Sequence, residues 1–370
     1  MLFQPPIAPQ YAVLSQAELA KRISARKAEL GSRVVILAHH YQQNEVFQFA
    51  DFTGDSLMLA QVGARQEDAE FIVFCGVHFM AESADMLTGD DIKVVLPDLS
   101  AGCSMADMAD IDQMEDAWAF LTQQCGAQPI PITYVNSSAA IKAFCGGHGG
   151  ACCTSSNARA ILEWAFGEGD KVIFLPDQHL GRNTAYSMGI PLDEMVLFDP
   201  HRPDGGLTPK DVADARVILW KGHCSVHGLF TPEQCDEIRR LDPEMDILVH
   251  PECAWEVLQK SDLAGSTEFI INTIREAPAG SKWAIGTEVH LIDRLIRSYP
   301  EKNIRSLAAV QCLCTTMYRI DLKHLLWSLD EIAAGRVVNR IQVDPETTNL
   351  ARIALKRMLA NVSSTPVAIK

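Results

Sequence analysis

The sequence predicts an α/β protein in which buried parallel strands alternate with helices. Eight apolar runs are nearly continuous rather than alternating, which is typical of strands covered on both faces. Helical patterns lie between these runs, and such alternation favours an α/β fold. Related runs recur at unequal intervals, which indicates a loose internal triplication into three small units.

The elements are clear from local signals. The first helix is SQAELAKRISARKAELG, where Ser15 and Glu18 predict a capping box and Gly31 predicts the end. The predicted strands are RVVILAHHY, EFIVFCGVHF, IKVVLPDLSAGC, PITYVNSS, DKVIFLPDQHLG, RVILWKGHC, MDILVHPEC and KWAIGTEVH. Helices are predicted for SLMLAQVGARQ, NARAILEWAF and TPEQCDEIRRL.

The triplication is visible in three sets of similar segments. ILAHHY, ITYVNSS and ILVHPEC read as one strand in three units, and KVVLPD, KVIFLPD and KWAIGTE read as a second such strand. A helix with a small or hydroxyl residue near its start follows later in each unit, in GDSLML, CTSSNA and GSTEFI. The recurrence predicts one sheet per unit.

Composition excludes several classes of function. The 370 residues are 48% hydrophobic and 21% charged, as expected for a globular protein of two or three domains. The net charge of −15 without a basic run argues against nucleic acid or an anionic membrane as partner. No apolar run approaches the ~20 residues of a membrane span, and no signal peptide is recognisable. We expect a cytoplasmic protein whose eleven cysteines are mostly free thiols.

Polar residues follow the three related strands where each strand ends. In open α/β sheets, ligands bind beyond the carboxyl ends of the strands. If the three units face one another, these side chains line one central site. Each one alone reads better as an ordinary loop residue, but the whole set favours a site. The candidates are His39, Tyr41, Tyr134, Asn136, His250 and Glu252.

Hydroxyl residues lie near the first turn of one helix in each unit: Ser56, Ser155, and Ser266 with Thr267. A helix N-terminus attracts anions through unpaired N–H groups, but a serine there also serves as a simple cap. Three such starts suggest a ligand with several anionic groups. Neither G-x-G-x-x-G nor a P-loop is present, so a nucleotide is not implied.

Three cysteine sites follow strand ends near the junctions between units. They are Cys103, Cys224 and the pair Cys312/Cys314. Three thiolates on one centre suit a soft metal, either zinc or an iron–sulfur cluster, but the C-x2-C spacing usual for zinc is absent. The remaining cysteines read as core or spectator residues. His40, His223 and His227 stay undecided between supporting groups and loop residues.

The motifs together resemble quinolinate synthase, over most of the chain. Nine occur in the family's order, and a tenth, CTTMYRIDLKHL, resembles the form with one cysteine three residues before methionine. The nine are ILAHHYQQNEVFQFADFTGDS, SAGCSMADM, YVNSSAAIKA, TSSNA, FLPDQHLG, WKGHCSVHG, HPEC, GST and IGTEVHL.

The resemblance implies three αβα domains in a triangle around a central site. We place the first at 1–105 plus 314–370, the second at 106–224 and the third at 225–313. It also implies one [4Fe–4S] cluster that is held by three cysteines only, which leaves one iron open. Carried over by motif, its ligands are Cys103, Cys224 and Cys314.

The implied reaction condenses iminoaspartate with dihydroxyacetone phosphate to quinolinate, phosphate and water, in NAD biosynthesis. An aspartate-oxidising enzyme is then a candidate for transient supply of iminoaspartate. Tyr41, His39 and Glu252 resemble the family's acid–base set. The substrate-orienting set corresponds to His39, Ser56, Tyr134, Asn136, Ser155, His250, Ser266 and Thr267.

Two alternatives to this condensing enzyme remain open: a zinc hydrolase that uses the same cysteines with Glu252 as base, and a non-catalytic binding or redox-sensing protein. Two departures from the family pattern also matter. CGGHGGACC is longer and richer in Gly and Cys, which suggests a mobile loop or an insertion. In QCLC, Cys312 offers a second thiol beside Cys314 and is expected in a buried strand.

Overall fold

The computed structural model describes residues 4, 6–66, 68–89, 91–310 and 312–361. The strands are β1 (Val34–His39), β2 (Phe52–Gly54), β3 (Phe71–Cys75), β4 (Lys93–Val95), β5 (Ile130–Tyr134), β6 (Ala151–Cys153), β7 (Val172–Leu175), β8 (Met195–Phe198), β9 (Val217–Trp220), β10 (Asp246–Val249), β11 (Leu263–Ala264), β12 (Lys282–Gly286), β13 (Asn303–Ser306) and β14 (Arg340–Ile341).

The helices alternate with these strands. They are α1 (Pro9–Ala12), α2 (Gln16–Leu30), α3 (Asn44–Phe47), α4 (Ser56–Ala64), α5 (His78–Leu87), α6 (Ile111–Ala119), α7 (Ala139–Gly147), α8 (Ala158–Glu168), α9 (Gln178–Ser187), α10 (Pro209–Asp214), α11 (Pro232–Leu241), α12 (Trp255–Lys260), α13 (Thr267–Glu276), α14 (Val289–Ser298), α15 (Leu322–Ala333) and α16 (Pro345–Ala360).

The strands form three sheets, which confirms the α/β class. Their orders are β14-β4-β3-β1-β2, β6-β5-β7-β9-β8 and β11-β10-β12-β13. Every pairing is parallel except that of the edge strand β14 with β4. All eight predicted strands form, because their continuous apolar runs are buried, as parallel sheets between helices require.

The sheet orders reveal the internal repeat. In each sheet the first strand of the unit has the second on one side and the third on the other, so β1, β5 and β10 are equivalent. This confirms the match of ILAHHY, ITYVNSS and ILVHPEC. The other match is partly wrong: β7 and β12 correspond to β3, in FIVFC, whereas KVVLPD forms the next strand out, β4.

The chain divides into two compact units. The first comprises Met1–Cys103 and Leu313–Asp344 and contains the first sheet. The second comprises Ser104–Cys312 and Pro345–Lys370 and contains the other two sheets. Our division into three domains and their triangular arrangement stay predictions. No helix within the described ranges is both long and apolar enough to span a membrane.

The first predicted helix forms as α2. The side chain of Ser15 accepts a hydrogen bond from the backbone N–H of Glu18, and Gly31 follows the last residue. Its buried face, with Leu19 and Ile23, packs on α15 in the first unit. Ser15 and Gly31 therefore predicted both ends of this helix.

The Gly- and Cys-rich segment is part of the packed core. It forms the end of α7, a turn and β6, and α16 packs against both elements. A Cβ on Gly146 would lie 1.9 Å from the carbonyl oxygen of Leu350, and one on Gly150 would lie 1.8 Å from that of Pro131. The glycines therefore permit close backbone contacts rather than loop motion.

Candidate active site

The six predicted polar residues at strand ends form three equivalent pairs. Each pair comprises a residue at or just beyond the end of the unit's first strand and the residue two positions later. The order of the strands reverses on either side of that strand, which is where open α/β sheets bind ligands. The pairs are His39 and Tyr41, Tyr134 and Asn136, and His250 and Glu252.

Two of these pairs form turns of the same kind. Nδ1 of His39 accepts a hydrogen bond from the backbone N–H of Tyr41 at 3.1 Å, and Nδ1 of His250 accepts one from that of Glu252 at 3.3 Å. An accepting Nδ1 places the proton of a neutral imidazole on Nε2. The turn thus fixes the tautomer and the direction of both rings.

The second unit joins Glu252 to two further side chains. The Tyr134 hydroxyl donates to Oε1 of Glu252 at 2.6 Å, and Nδ1 of His227 lies 3.0 Å from Oε2. His227 stacks on His250, with ring centroids 4.4 Å apart and planes at 17°. His227 is 1% exposed, His250 2% and Glu252 3%. His227 is therefore a buried partner of Glu252, which the sequence alone did not decide.

The charges in this cluster follow from burial and neighbours. Burial raises the pKa of the Glu252 carboxyl, but His227, His250 and the hydrogen bonds from His227 and Tyr134 together hold it at about 2. Burial and the neighbouring His227 lower the pKa of His250 to about 3, against the opposing effect of Glu252. At neutral pH Glu252 is a carboxylate and His250 is neutral.

A second buried carboxyl behaves oppositely. Burial, and then the charge of Glu252, raises the pKa of Asp177 well above its ordinary range. Its Oδ1 accepts hydrogen bonds from the backbone N–H groups of His179 and Leu180, at 2.6 and 3.0 Å, and so caps α9. Asp177 was not among the residues predicted from sequence. Its position two residues after the end of β7, at the same sheet edge, was the available signal.

In the first unit, His39 is buried and Tyr41 is partly exposed. Their rings meet edge to face, with centroids 4.8 Å apart and planes at 82°. Beyond them, Nε2 of Gln43 donates to the carbonyl oxygens of Ile320 and Tyr318 at 2.6 and 3.2 Å. The segment after β1 is thereby tied to the segment that follows Cys314.

The predicted helix starts differ in how they are capped. Asp55, not Ser56, caps α4, because its Oδ1 accepts from the N–H of Met58 at 2.9 Å. Ser266 does cap α13, accepting from the N–H of Phe269 at 3.2 Å, and Thr267 opens the helix. Simple capping therefore accounts for Ser266 and not for Ser56.

The second unit contributes the remaining two predicted residues. Ser155 lies in the turn between β6 and α8 and is partly exposed. Asn157, rather than Ser155, is the cap residue of α8, and its Nδ2 donates to the carbonyl of Met358 at 3.0 Å. Oδ1 of Asn136 is buried and has no hydrogen-bond partner among the described residues. It is an acceptor available to a ligand.

Burial separates the predicted metal ligands from most other cysteines. Cys103, Cys224 and Cys314 are partly exposed, as is Cys125. The others are buried, and burial raises the pKa of Cys152 to about 12 and that of Cys312 to about 11. A metal needs the thiolate, which these buried thiols do not supply at neutral pH. Cys312 is buried as predicted but lies outside any strand.

The three predicted ligands occupy one repeated motif. In each, a three-residue 3-10 turn begins three residues after the cysteine, and the cap of the following helix lies seven residues after it. The turns are Ala106–Met108, His227–Leu229 and Met317–Arg319, and the caps are Asp110, Thr231 and Asp321. Neither Cys125 nor Cys312 has this spacing to a turn and a cap.

The donor set fits an iron–sulfur cluster. Three partly exposed thiols in three copies of one motif match three soft ligands. Within the second unit, ligand atoms of Cys224, His227 and Glu252 lie within 4.8 Å of one another. The Cys224 turn thus carries both a predicted iron ligand and, through His227, a partner of Glu252.

The sequence matches one family along nearly its whole length. A family model described as NadA, quinolinate synthetase A protein, matches residues 21–360. Quinolinate synthase of Nocardioides sp. is 59% identical over 354 residues, which is 94% of this chain and 90% of that protein. Quinolinate synthase of Anoxybacillus flavithermus is 57% identical over 95% of each chain, and that of Bacillus cereus strain B4264 is 56% identical over 95% of this chain and 96% of its own.

Proposed function

The chain belongs to the quinolinate synthase family, and on this basis we propose that it condenses iminoaspartate with dihydroxyacetone phosphate. The products are quinolinate, phosphate and water. The activity is that of a carbon–carbon bond-forming transferase in NAD biosynthesis. An aspartate-oxidising enzyme supplies the unstable imine.

The chain holds a [4Fe–4S] cluster through Cys103, Cys224 and Cys314. Their shared motif and partial exposure support this assignment. When bound, a cluster with one open iron supplies a Lewis acid that polarises a substrate oxygen or nitrogen. The overall reaction requires no net redox change, so electron transfer is not the role assigned to it.

Binding two carboxylates and a phosphate requires local donors, because the net charge of −15 repels anions. Hydroxyl groups at helix starts and N–H groups of the first turns supply such donors. Ser56 is favoured in particular, since Asp55 already caps its helix. The residues assigned to substrate are His39, Ser56, Tyr134, Asn136, Ser155, His250, Ser266 and Thr267.

Proton transfer is assigned to Glu252 and Tyr41, with His39 orienting Tyr41. Forming the new bonds removes protons from carbon and nitrogen, and loss of water requires a proton on the leaving hydroxyl. Glu252 is ionised before substrate arrives and can accept a proton, while a tyrosine hydroxyl can donate one. The buried Tyr134–Glu252–His227 contacts are the structural observation that carries the proposal.

An anaerobic assay tests the function directly. Purified protein should be brown, contain iron and sulfide, and form quinolinate from the two substrates. Cys103→Ala, Cys224→Ala and Cys314→Ala should each lose the iron and all turnover. Cys312→Ser and Cys153→Ala are matched controls that should keep both, because these thiols are buried outside the motif. Iron-replete protein that forms no quinolinate contradicts the proposal.

A zinc enzyme is the second candidate, because Cys224, His227 and Glu252 form a Cys/His/Glu donor set of the kind that binds zinc. Metal analysis of anaerobically prepared protein separates the two. Stoichiometric zinc without iron or sulfide, retained in Cys103→Ala and lost in His227→Ala, favours the zinc enzyme. Iron and sulfide that depend on all three cysteines exclude it.

A further inference from the structure

Asn183 forms hydrogen bonds to the turn that contains Glu252. It lies within α9, is 2% exposed, and its Nδ2 donates to the carbonyl oxygens of Pro251 at 2.8 Å and Cys253 at 2.9 Å. These carbonyls flank Glu252 on either side. One side chain therefore fixes the backbone both before and after the carboxylate.

The orientation of this amide is determined by its partners. The reversed amide would direct Oδ1 at two carbonyl oxygens, which cannot donate, so both N–H groups must face the turn. The buried Oδ1 then has no hydrogen-bond partner within the described ranges. An unpaired buried acceptor lowers the stability of the fold, so stability alone does not explain why an asparagine stands at this position.

Helix α9 is itself firmly held in the second unit. At its start, Asp177 pairs with Gly222, and the N–H of Gln178 donates to the carbonyl of Gly222 at 3.0 Å, two residues before Cys224. At its end, the ring of Tyr186 meets that of Trp255 edge to face at 5.7 Å. The helix is thus a rigid connection between the Cys224 turn and the Glu252 turn.

We propose that Asn183 is a positioning residue that holds Glu252 in place for proton transfer. It sets the distance of the carboxylate from Tyr134 and His227 and from the Cys224 turn. The inference rests on the proposed function, in which Glu252 moves protons. Small misplacements of such a group cost rate rather than substrate affinity, because binding uses other side chains.

Steady-state kinetics of Asn183→Ala test this role. We expect kcat to fall by roughly 10- to 100-fold, KM to change less than about threefold, and iron and sulfide to stay at the wild-type level. Thr184→Val is the control: Thr184 is the buried neighbour on α9, and its Oγ1 has no partner among the described residues. It should keep wild-type kcat. A wild-type kcat in folded Asn183→Ala overturns the proposal.

A double variant separates positioning from general damage. In the Glu252→Gln background, Asn183→Ala should lower the residual kcat by less than about twofold, because no base remains to be positioned. If Asn183→Ala lowers kcat in the Glu252→Gln background by the same factor as in the wild-type background, the proposal is overturned. If Asn183→Ala does not fold, Asn183→Asp retains the shape and, when ionised, removes both donors, and the same cycle applies.

Amide hydrogen exchange of the unmodified protein tests the rigidity independently of activity. The N–H groups of Glu252 and Cys253, bonded to Nδ1 and the carbonyl of His250, should exchange as slowly as those of β10. Fast exchange there overturns the proposal. Wild-type protein that forms no quinolinate, with slow exchange at these amides, contradicts the proposed reaction and leaves the rigid turn supported.

Discussion

The ends of β1 and β10 are built alike and used differently. Both strands hold the same place in their sheets. β1 ends in His39 and β10 is followed directly by His250, and Nδ1 of each histidine accepts a hydrogen bond from the N–H two residues later. After β10 that later residue is the buried Glu252, which contacts Tyr134 and His227. After β1 it is Tyr41, which is partly exposed and stands edge to face on His39.

The difference shows that a repeated turn can present either a buried carboxylate or a partly exposed tyrosine. Glu252 has its charge and partners set before any substrate binds, as electrostatic preorganisation requires. Tyr41 is held through its backbone N–H and its ring at a partly exposed position.

Glu252→Gln should cause the largest loss, lowering kcat by about 10³-fold or more with iron retained, because it removes the preset base. Anaerobic assays with iron quantification measure this. Glu256→Gln, an exposed carboxylate four residues further on, is the control and should be close to wild type. A Glu252→Gln enzyme with near-normal kcat would show that the buried carboxylate is structural.

Tyr41→Phe should lower kcat by about 10²-fold, since only the hydroxyl is lost and the edge-to-face contact with His39 remains possible. Iron content and KM should change little. Tyr318→Phe, at an exposed tyrosine of the same unit, is the matched control. Full activity in Tyr41→Phe would remove Tyr41 from the acid–base set.

Tyr134→Phe should lower kcat by about tenfold, because Glu252 keeps His227 but loses the donor to Oε1. Iron content should stay at the wild-type level, and adding Tyr134→Phe to Glu252→Gln should lower the residual kcat by less than about twofold, because the carboxylate that the hydroxyl contacts is already gone. Anaerobic kinetics of the single and double variants measure this. A tenfold loss repeated in the Glu252→Gln background would mean that Tyr134 acts on substrate alone.

The smallest effect concerns stability. The pKa of His250 is about 3 in the fold and ~6.5 when unfolded, so the unfolded state binds the extra proton between these values. The free energy of unfolding should therefore fall as pH drops below ~6.5, by up to about 1.4 kcal/mol per pH unit. Anaerobic denaturant titrations at pH 7 and 5.5 measure this change in the free energy of unfolding. Both pH values lie above the range in which Glu252 titrates.

His250→Gln should reduce this pH dependence, and His39→Gln at the equivalent turn is the comparison. His179, which is partly exposed, adds to the wild-type slope, because desolvation, followed by the charge of Arg182, lowers its pKa to about 4. A slope that His250→Gln leaves unchanged would mean that His250 does not carry this linkage.

Much of the fold could be predicted from sequence, because its signals are local. Continuous apolar runs predicted eight strands, and Ser15 predicted the start of α2. The other six strands, β2, β6, β8, β11, β13 and β14, were missed; four of them have only two or three residues, which is too short for a periodic pattern. KVVLPD was assigned to the wrong place in its sheet, because similarity of sequence does not reveal which strand is the neighbour.

The candidate site was harder to predict from sequence than the fold, because its contacts join residues that are far apart in the sequence. His227 is buried only because a turn after β9 brings it to Glu252. Nδ2 of Asn183 donates to two backbone carbonyl oxygens, and no motif in the sequence around Asn183 indicates these partners. Cys103, Cys224 and Cys314 could be selected from sequence as residues after strand ends and by family resemblance, but their common spacing to a turn and a helix cap emerged only from the structure.

The close contact of Gly146 with Leu350 has a consequence for the order of biosynthesis. The ribosome makes residues 146–150 about 200 residues before the helix that covers them, and Arg357 then bonds to the carbonyl of Gly150. At a synthesis rate of ~5–20 residues per second, the faces of α7 and β6 stay uncovered for roughly 10 to 40 s before α16 is made. The second unit is therefore completed only after the intervening residues 313–344 have been synthesised, so a chain that stops before α16 leaves the buried faces of α7 and β6 uncovered.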